Sequence, residues 1–134
     1  MSEFCLSVRV YYEDTDAGGL VYHSNYLKYM ERARSEYLRE LGYTHLLLAQ
    51  QEKLVFVVSQ INIDYKKPAR LDDTLAVSVA FDNVQGASLT CLQTVRRDAD
   101  ILCIGTVRIA CLDSDTHTPK KIPSPMKAKF NHDY

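Results

Sequence analysis

One long helical pattern, followed mainly by strand-like patterns, most strongly limits the folds open to this chain. Between Ser24 and Leu41, apolar residues recur at the spacing of one helical face. The residues predicted to be buried on that face are Tyr26, Tyr29, Met30, Ala33, Tyr37 and Leu41. Ser24 is expected to cap the start of the helix, and Gly42 to end it. At roughly 27 Å, this is the only predicted element long enough to cover a sheet.

Strand patterns occupy most of the remaining sequence. Alternation from Leu6 to Tyr12 predicts a half-buried strand before the helix, and a short helix is expected from His45 to about Gln51. Four more strands are predicted after the helices. The first carries Val57, Ile61, Ile63 and Tyr65 on one face, and the second contains Leu75, Val77, Val79 and Phe81. The third runs from Ser88 to Arg97 and the fourth from Ile101 to Leu112. This order predicts an α+β fold in one domain over residues 1–134: a five-stranded antiparallel sheet wrapped around one long central helix.

The last predicted strand is apolar on both faces. On the face turned away from the helix it carries Leu102, Ile104, Ala110 and Leu112. This is more apolar area than a monomer leaves in water, so self-association through the sheet is expected. The proline-rich tail is expected to end in a helical turn from Met126 to Phe130.

Charge and composition exclude several classes of protein. The formal net charge is −1 and no block of five like charges occurs, so there is no electrostatic case for binding nucleic acid. The start of the chain lacks a basic segment followed by an apolar one, so no secretory signal is predicted. The longest apolar run, Leu54–Val58, is far shorter than a membrane span. These features predict a soluble, cytoplasmic protein.

The spacing of cysteines and histidines predicts neither a disulfide framework nor a metal site. No Cys-X-X-Cys pair occurs, and reduced thiols are expected at Cys5, Cys91, Cys103 and Cys111. No metal-ligand spacing connects the histidines, which are His23, His45, His117 and His132. Neither a metal nor a cofactor is therefore predicted.

The candidate reactive site is the loop between the first strand and the long helix. Asp16 and His23 lie on either side of Gly18 and Gly19, which permit left-handed or very tight backbone. The first turn of the helix presents free N–H groups and a partial positive charge, so a carboxylate, an imidazole and a helix N-terminus converge. The alternative is a structural role, because the carboxylate of a loop aspartate often accepts hydrogen bonds from nearby backbone N–H groups. We expect this role mainly of Asp14. A histidine such as His23 is, by itself, more often a helix-start or core residue.

The run from Val8 to Tyr26 resembles the signature of hotdog-fold acyl-CoA thioesterases of the 4-hydroxybenzoyl-CoA thioesterase type. The similarity is closest to the YbgC group, which is associated with the Tol–Pal system of Gram-negative bacteria. It continues through Glu31–Arg34, Phe56–Val58 and Tyr65–Asp73 into the proline-spaced tail. The resemblance therefore covers nearly the whole chain.

This resemblance implies roles for three residues of the loop. Asp16 matches the catalytic carboxylate of the family, either a general base for water or a nucleophile on the thioester carbonyl. His23 matches the histidine at the helix entrance, where related members polarise the thioester oxygen with the backbone N–H, and Tyr12 matches a tyrosine that lines the site. The implied reaction is hydrolysis of acyl-CoA to a free acid and coenzyme A, without a cofactor. General chemistry agrees, because helix N–H groups stabilise oxyanion charge by roughly 3–4 kcal/mol per donor in well-studied cases.

The resemblance also implies partners. The family's active site lies between two subunits of a dimer, and the dimers often pair, so a homotetramer is expected. The expected acyl carrier is coenzyme A or an acyl carrier protein. The resemblance to the YbgC group also implies a peripheral link to Tol–Pal envelope proteins. Because coenzyme A carries phosphates, a basic mouth is expected: Lys66, Lys67 and Arg70 form one candidate cluster, and Arg96–Arg97 another. A solvated strand end explains either cluster equally well.

Two other functions stay open at the level of the sequence. One is a hotdog dehydratase acting on 3-hydroxyacyl thioesters, although such enzymes usually pair a histidine with an acidic residue across the dimer seam. The other is a non-catalytic module for acyl-CoA or acyl carrier protein, which predicts thioester binding without turnover. Only the combination of Asp16 with His23 favours hydrolysis. The acyl preference (short-chain, long-chain or aromatic) depends on the depth of a pocket that the sequence does not define.

Overall fold

The part of the chain described by the computed structural model, residues 4–131, contains five strands and three helices. The strands are β1 (Phe4–Arg9), β2 (Leu54–Tyr65), β3 (Thr74–Gln85), β4 (Ser88–Arg97) and β5 (Asp100–Asp113). The helices are α1 (His23–Glu40), α2 (His45–Leu47) and α3 (Ser124–Asn131). A 3-10 turn covers Tyr12–Asp14, and α2 continues into a π-helical turn at Leu48–Glu52. His132 and the start of the chain before Phe4 lie outside the described residues.

The strands form one antiparallel sheet in the order β1-β3-β4-β5-β2, and α1 packs against β1, β3 and β4. All six residues predicted for the apolar face of α1 are buried. The sheet contributes further buried residues to the core, among them Leu75, Val77, Val95 and Val107. The predicted α+β architecture, a five-stranded antiparallel sheet around one central helix, is therefore confirmed.

A bulge at Ser59 changes which residues of β2 face the helix. Ser59 is left without a partner, since Val58 and Gln60 pair with consecutive residues of β5. Side chains alternate along a strand, so one extra residue reverses the pattern on the far side of the bulge. Val57 therefore lies on the outer face, and the prediction that it shares a face with Ile61 is wrong.

The outer face of β5 is less apolar than predicted. Ile104 is exposed, and Ala110 and Leu112 are partly buried, but Leu102 is fully buried. The chain that follows β2 crosses at this position, where the backbone N–H of Lys66 donates to the Leu102 carbonyl at 2.8 Å. The prediction that Leu102 adds to an exposed apolar face is therefore wrong.

The cysteines agree with the predicted reduced state. Cys91, Cys103 and Cys111 are buried and Cys5 is exposed, and all four are free thiols. Burial raises the pKa of these buried thiols, to about 12 for Cys91 and to about 11 for Cys103 and Cys111, so they are protonated at neutral pH. Within residues 4–131, no helix combines the length and the apolar composition needed to cross a membrane.

Helix α1 ends at Gly42, the residue predicted to terminate it. Gly42 adopts φ +100°, and its N–H donates to the Arg39 carbonyl at 2.9 Å. The N–H of Tyr43 donates to the Leu38 carbonyl at 3.0 Å. These two hydrogen bonds form a Schellman motif, which needs a left-handed residue at this position and satisfies carbonyls of the last turn.

Gly42→Ala is expected to lower the free energy of unfolding by about 1–2 kcal/mol, because a Cβ atom is strained at this φ. Urea unfolding followed by circular dichroism measures the change. Glu40→Ala, at the exposed end of the same helix, is the control and is expected to stay within about 0.5 kcal/mol of the wild type. Equal stability of Gly42→Ala and the wild type would contradict this account of the helix end.

Candidate active site

The loop that leads from β1 into α1 folds back on itself around Gly19. Thr15 and Val21 pair as an antiparallel bridge, and the N–H of Asp16 donates to the Leu20 carbonyl at 2.9 Å. Gly19 adopts φ +78°, the left-handed conformation that the glycine pair is predicted to allow. The loop is thus closed at its base, with Asp16 in its exposed part.

Asp16 is held by its own loop but keeps one carboxylate oxygen open. Its Oδ1 atom accepts hydrogen bonds from the backbone N–H groups of Gly18, at 2.9 Å, and Leu20, at 3.4 Å. Oδ2 has no hydrogen-bond partner among residues 4–131. The carboxylate therefore combines the local role common for loop aspartates with a free oxygen that can face water or a carbonyl carbon.

The N-terminus of α1 is open. The helix begins at His23, and the preceding Tyr22 makes no side-chain capping bond. The prediction that Ser24 caps the helix is therefore wrong, since Ser24 lies inside the first turn. The Asn25 N–H donates to the Tyr22 carbonyl at 2.9 Å, but the N–H groups of His23 and Ser24 have no acceptor within the described residues. Two unpaired N–H groups at the positive end of a helix dipole are suited to a developing oxyanion.

Asp14 ties the loop to this helix start. Its carbonyl accepts hydrogen bonds from the Tyr22 N–H at 3.0 Å and from Asn25 Nδ2 at 2.8 Å. Its carboxylate accepts a hydrogen bond from the Tyr11 N–H at 2.9 Å. Burial and the nearby Asp14 carboxylate raise the pKa of Tyr29, a buried residue of α1, so the phenol stays neutral. Asp14 is thus structural, as expected.

Tyr65, at the end of β2, also holds the helix start, through a contact that the sequence does not predict. Its hydroxyl donates to the His23 carbonyl at 3.2 Å, and its ring packs edge-on against the Tyr26 ring, with 5.5 Å between centroids. Burial raises the pKa of Tyr65, so the hydroxyl remains a donor. The two bonded residues are 42 positions apart, and no local pattern signals such a contact.

The hydrogen bond from Tyr65 acts on the peptide group that carries a free N–H. The His23 carbonyl and the Ser24 N–H belong to the same peptide unit. A hydrogen bond accepted at a carbonyl polarises the whole unit and makes its N–H a stronger donor. Tyr65 is therefore placed to position and strengthen one of the two open N–H groups.

Tyr12, predicted to line the site, lies in the 3-10 turn before the loop and is 82% exposed. Its carbonyl accepts hydrogen bonds from the N–H and the hydroxyl of Thr15, at 3.1 and 2.7 Å, which fixes its backbone. Tyr11 and Tyr22 are also exposed, so aromatic side chains surround the loop. Exposed apolar groups around a reactive loop are typical of a substrate or subunit contact.

The segment Lys66–Arg70 runs alongside the loop. Leu20 pairs with Arg70 as an antiparallel bridge, and the Val21 N–H donates to the Ala69 carbonyl at 2.9 Å. The structure thus places Arg70 of the first predicted basic cluster directly beside the loop, whereas the N–H groups of the other two members, Lys66 and Lys67, donate to the Leu102 carbonyl of β5.

The three cations of this cluster differ in charge compensation. Lys67 Nζ lies 3.2 Å from Asp100 Oδ1, so its charge is partly neutralised. Lys66 and Arg70 are exposed, and neither forms an ion pair with another of the described residues. They are therefore the stronger candidates for an anionic ligand.

Arg97, from the second predicted basic cluster, is engaged inside the protein. Its Nη1 atom lies 2.7 Å from Asp73 Oδ2 and donates to the Pro68 carbonyl at 3.3 Å. This pair joins the end of β4 to the segment that runs beside the loop. Arg97 therefore stabilises the backbone around Pro68 and Asp73.

Similarity to known proteins identifies the family. Residues 10–130 match the family model described as the thioesterase-like superfamily. The chain belongs to this superfamily. It is 46% identical over 129 residues to the acyl-CoA thioesterase YbgC of Haemophilus influenzae, which covers 96% of this chain and 95% of the relative. It is 40% identical over 124 residues to the acyl-CoA thioester hydrolase YbgC of Escherichia coli O157:H7, with 92% of each chain covered.

A solved structure supports the same assignment. The probable thioesterase from Bartonella henselae superposes with a TM-score of 0.87 at 34% identity, covering 91% of this chain and all of that one. The predicted resemblance to hotdog-fold thioesterases, and to the YbgC group within them, is therefore confirmed.

Tyr65→Phe is expected to lower kcat for thioester hydrolysis about fivefold with little change in KM, because one neutral hydrogen bond is lost at the helix start. Steady-state kinetics with an acyl-CoA substrate measures both constants. Tyr43→Phe, beyond the other end of α1, is the control and should leave kcat unchanged. A rise in KM with kcat intact would show that Tyr65 contacts the substrate rather than positioning the peptide.

Proposed function

We propose that this chain is an acyl-CoA thioesterase whose catalytic centre is formed by the Asp16 loop and the open N-terminus of α1. One observation carries the proposal: a carboxylate with a free oxygen lies in a closed loop that leads directly into a helix start with two unpaired N–H groups. The relatives named as acyl-CoA thioesterase or thioester hydrolase support it, because their similarity extends over more than nine-tenths of the chain.

Asp16 supplies the basic or nucleophilic oxygen. As a general base, it takes a proton from a water molecule, whose oxygen attacks the thioester carbonyl carbon. As a nucleophile, it attacks that carbon directly, and water then hydrolyses the resulting anhydride. In either route the C–S bond breaks, coenzyme A leaves as a thiolate, and the acyl group becomes a free acid. Thiolate is a good leaving group, so no strong general acid is needed.

The start of α1 supplies the electrophilic part of the site. The N–H groups of His23 and Ser24 stabilise the negative charge that develops on the carbonyl oxygen in either route. The His23 imidazole lies beside the Tyr22 ring, with 4.5 Å between centroids. We assign it the role of orienting the water or the thioester, with Tyr12 lining the entrance.

A second copy of the chain extends the sheet at β2. Among the described residues this strand pairs only with β5, so one row of its backbone groups is unpaired. The exposed apolar side chains along it include Val57, Val58, Ile61 and Tyr65. Pairing with the same strand of a second copy across a two-fold axis is antiparallel and covers this edge. The proposed assembly is this dimer, with two dimers forming a tetramer.

The basic cluster beside the loop binds the phosphates of coenzyme A in this proposal. Lys66 and Arg70 supply most of the attraction, since Lys67 is paired with Asp100. Coenzyme A is therefore the proposed carrier, and an acyl carrier protein is the second. A cytoplasmic location and a peripheral link to Tol–Pal envelope proteins stay predictions from the sequence.

Asp16→Asn is expected to lower the hydrolysis rate at least about a hundredfold, which corresponds to roughly 2.7 kcal/mol of barrier. The reason is that the uncharged carboxamide of asparagine can act neither as a general base nor as a nucleophile. Release of free thiol is measured across short, long and aromatic acyl-CoAs, with circular dichroism to confirm folding. Glu13→Gln, an exposed carboxylate in the same segment, is the matched control and should keep the wild-type rate. Equal rates in Asp16→Asn and wild type would remove Asp16 from its role. Binding without turnover by the folded wild type would instead favour the non-catalytic module.

The double substitution Lys66→Gln with Arg70→Gln is expected to raise KM for acyl-CoA about three- to tenfold, because two exposed charges near the phosphates are lost. The same acyl group carried on N-acetylcysteamine, which has no phosphates, should show no change. Lys121→Gln with Lys127→Gln removes the same charge from the tail and serves as the control. An equal rise in KM for both carriers would place the cluster at the acyl group rather than at the phosphates.

A further inference from the structure

The reactive loop forms two of the three short strands of a small ladder outside the main sheet. Thr15 and Val21 pair across the loop, and Leu20 pairs with Arg70 on the other side. The third strand of the ladder therefore lies in the connection between β2 and β3. We call residues 68–73 of this connection the brace. A two-stranded hairpin is only marginally stable in water unless a third strand or a packed element supports it, so the shape of the loop depends on the brace.

Leu20 links the brace to the carboxylate of Asp16. The Leu20 carbonyl accepts a hydrogen bond from the Asp16 N–H at 2.9 Å, and the Leu20 N–H donates to Asp16 Oδ1 at 3.4 Å. These two contacts fix both the backbone and the side chain of Asp16. Because Leu20 also pairs with Arg70 of the brace, a displacement of the brace moves the carboxylate with it.

The brace also contacts the helix that carries the open N–H groups. The Ala69 N–H donates to the hydroxyl of Tyr26, a residue of α1, at 2.9 Å, and both residues are buried. The Ala69 carbonyl accepts a hydrogen bond from the Val21 N–H of the loop, also at 2.9 Å. One residue of the brace is thus bonded to the loop on one side and to α1 on the other. The brace therefore helps to set the position of the carboxylate relative to the helix start.

One ion pair attaches both ends of the brace to the sheet. Arg97, at the end of β4, donates from Nη1 to Asp73 Oδ2 at 2.7 Å and to the Pro68 carbonyl at 3.3 Å. The same oxygen of Asp73 accepts a hydrogen bond from the Arg70 N–H at 2.8 Å. The Arg97 and Asp73 side chains are 22% and 21% exposed, whereas each side chain in the three other ion pairs found among residues 4–131 is at least 45% exposed. This pair is therefore the best shielded from water.

The pair is charged at neutral pH. Burial by itself would raise the pKa of the Asp73 carboxyl, but the hydrogen bonds from Arg97 and from the Arg70 N–H outweigh burial and hold that pKa below its ordinary value. The hydrogen bond to Asp73 raises the pKa of the Arg97 guanidinium. Removal of one partner leaves a partly buried charge uncompensated, which costs more than the loss of an exposed ion pair.

Backbone hydrogen bonds join the brace to the loop as one unit. The Val10 N–H donates to the Asp73 carbonyl at 2.9 Å, and the Asp72 N–H donates to the Val10 carbonyl at 3.0 Å. Val10 directly follows β1 and leads into the loop. These bonds therefore connect the brace to the segment that enters the loop, and the pair of Asp73 with Arg97 attaches the resulting unit to β4.

We propose that Asp73 and Arg97 are positioning residues: their ion pair fixes the brace, and the brace, through Leu20, holds the Asp16 carboxylate at the open N-terminus of α1. Neither residue touches the substrate in this proposal. The effect on catalysis rests on the proposed function, whereas the coupling of the ion pair to the loop does not depend on it.

Amide hydrogen exchange, followed by NMR, tests the coupling without turnover. Asp73→Asn keeps the size of the side chain but removes its charge. The Val21 N–H is therefore expected to exchange about tenfold faster, as the weakening of one hydrogen bond between charged groups predicts. Asp98→Asn, at an exposed carboxylate that also faces Arg97, is the matched control and should leave this rate unchanged. Wild-type exchange of Val21 in Asp73→Asn would overturn the inference.

Kinetics with a thioester of N-acetylcysteamine test the effect on catalysis. This carrier has no phosphates, so a change in phosphate binding at Arg70 does not enter. Asp73→Asn is expected to lower kcat about fivefold with KM within about twofold, because a displaced carboxylate slows the chemical step while the substrate contacts remain. Gly42→Ala, which acts on stability at the other end of α1, is the control and should keep the wild-type kcat. An equal fall in Gly42→Ala, or an unchanged kcat in Asp73→Asn despite faster exchange, would contradict the positioning role.

A double-mutant cycle tests whether the two residues act as a pair. Arg97→Gln alone should lower kcat as Asp73→Asn does, and Arg97→Lys, which keeps the charge but not the planar fork, should recover part of the loss. The double variant of Asp73→Asn with Arg97→Gln should be no slower than the slower single variant, because the second substitution removes a partner that is already lost. Losses that multiply in the double variant would show two independent effects and overturn the pairing.

These outcomes separate the inference from the proposed function. If the folded wild type hydrolyses no thioester, the proposed function fails, while faster exchange of Val21 in Asp73→Asn still supports the coupling of the ion pair to the loop. If turnover falls in Asp16→Asn but Asp73→Asn changes neither exchange nor kcat, the proposed function is supported and the positioning role is contradicted.

Discussion

Burial of one face of α1 against the sheet is the constraint on which the rest of the structure depends. Tyr29, Met30 and Ala33 are almost fully buried there, so the helix can neither rotate nor slide without exposing apolar area. A helix is a stiff element, and fixing its middle fixes both ends. Its first residue, His23, is thereby placed at the end of the Asp16 loop, and Ser35, about three turns later, at the cavity that α1 lines with Phe56 and Phe81.

Polar contacts refine this placement from the sheet side. Gln93 of β4 is buried, and its Nε2 donates to the Met30 carbonyl at 3.0 Å and to the Ser78 carbonyl at 3.3 Å. Its Oε1 accepts from Arg34, which holds that guanidinium at the edge of the cavity. Buried polar groups are costly unless satisfied, so this network specifies one orientation of α1. One side chain thus links the core of the sheet to a wall of the cavity.

Local sequence patterns predicted the helices and strands well, but predicted less well which side chains of each element face the core. The buried face of α1 and the glycine at its end follow from spacing and φ preference, which are properties of a few neighbouring residues. Ser24 and Val57 were placed wrongly because a two-residue shift of the helix cap, from Ser24 to Tyr22, or one bulge at Ser59, moves a side chain to another environment. Asp16 and His23 were identifiable because a long motif carries them, and their catalytic roles stay a proposal. Tyr65 was not identifiable, since its partner lies across the fold.

The sequence alone determined the α+β class, the order of strands and helix along the chain, and the glycine loop with the residues that belong to it. Each of these depends on periodicity, on backbone freedom or on the resemblance carried by contiguous residues. Tertiary structure decided that the helix N–H groups are uncapped, that Arg97 is used internally while Lys66 and Arg70 stay exposed, and that Glu31, Ser35 and His45 meet in one cavity. These outcomes depend on which distant segments pack together, and the physical reason is that hydrogen bonds and burial are settled between elements rather than along the chain.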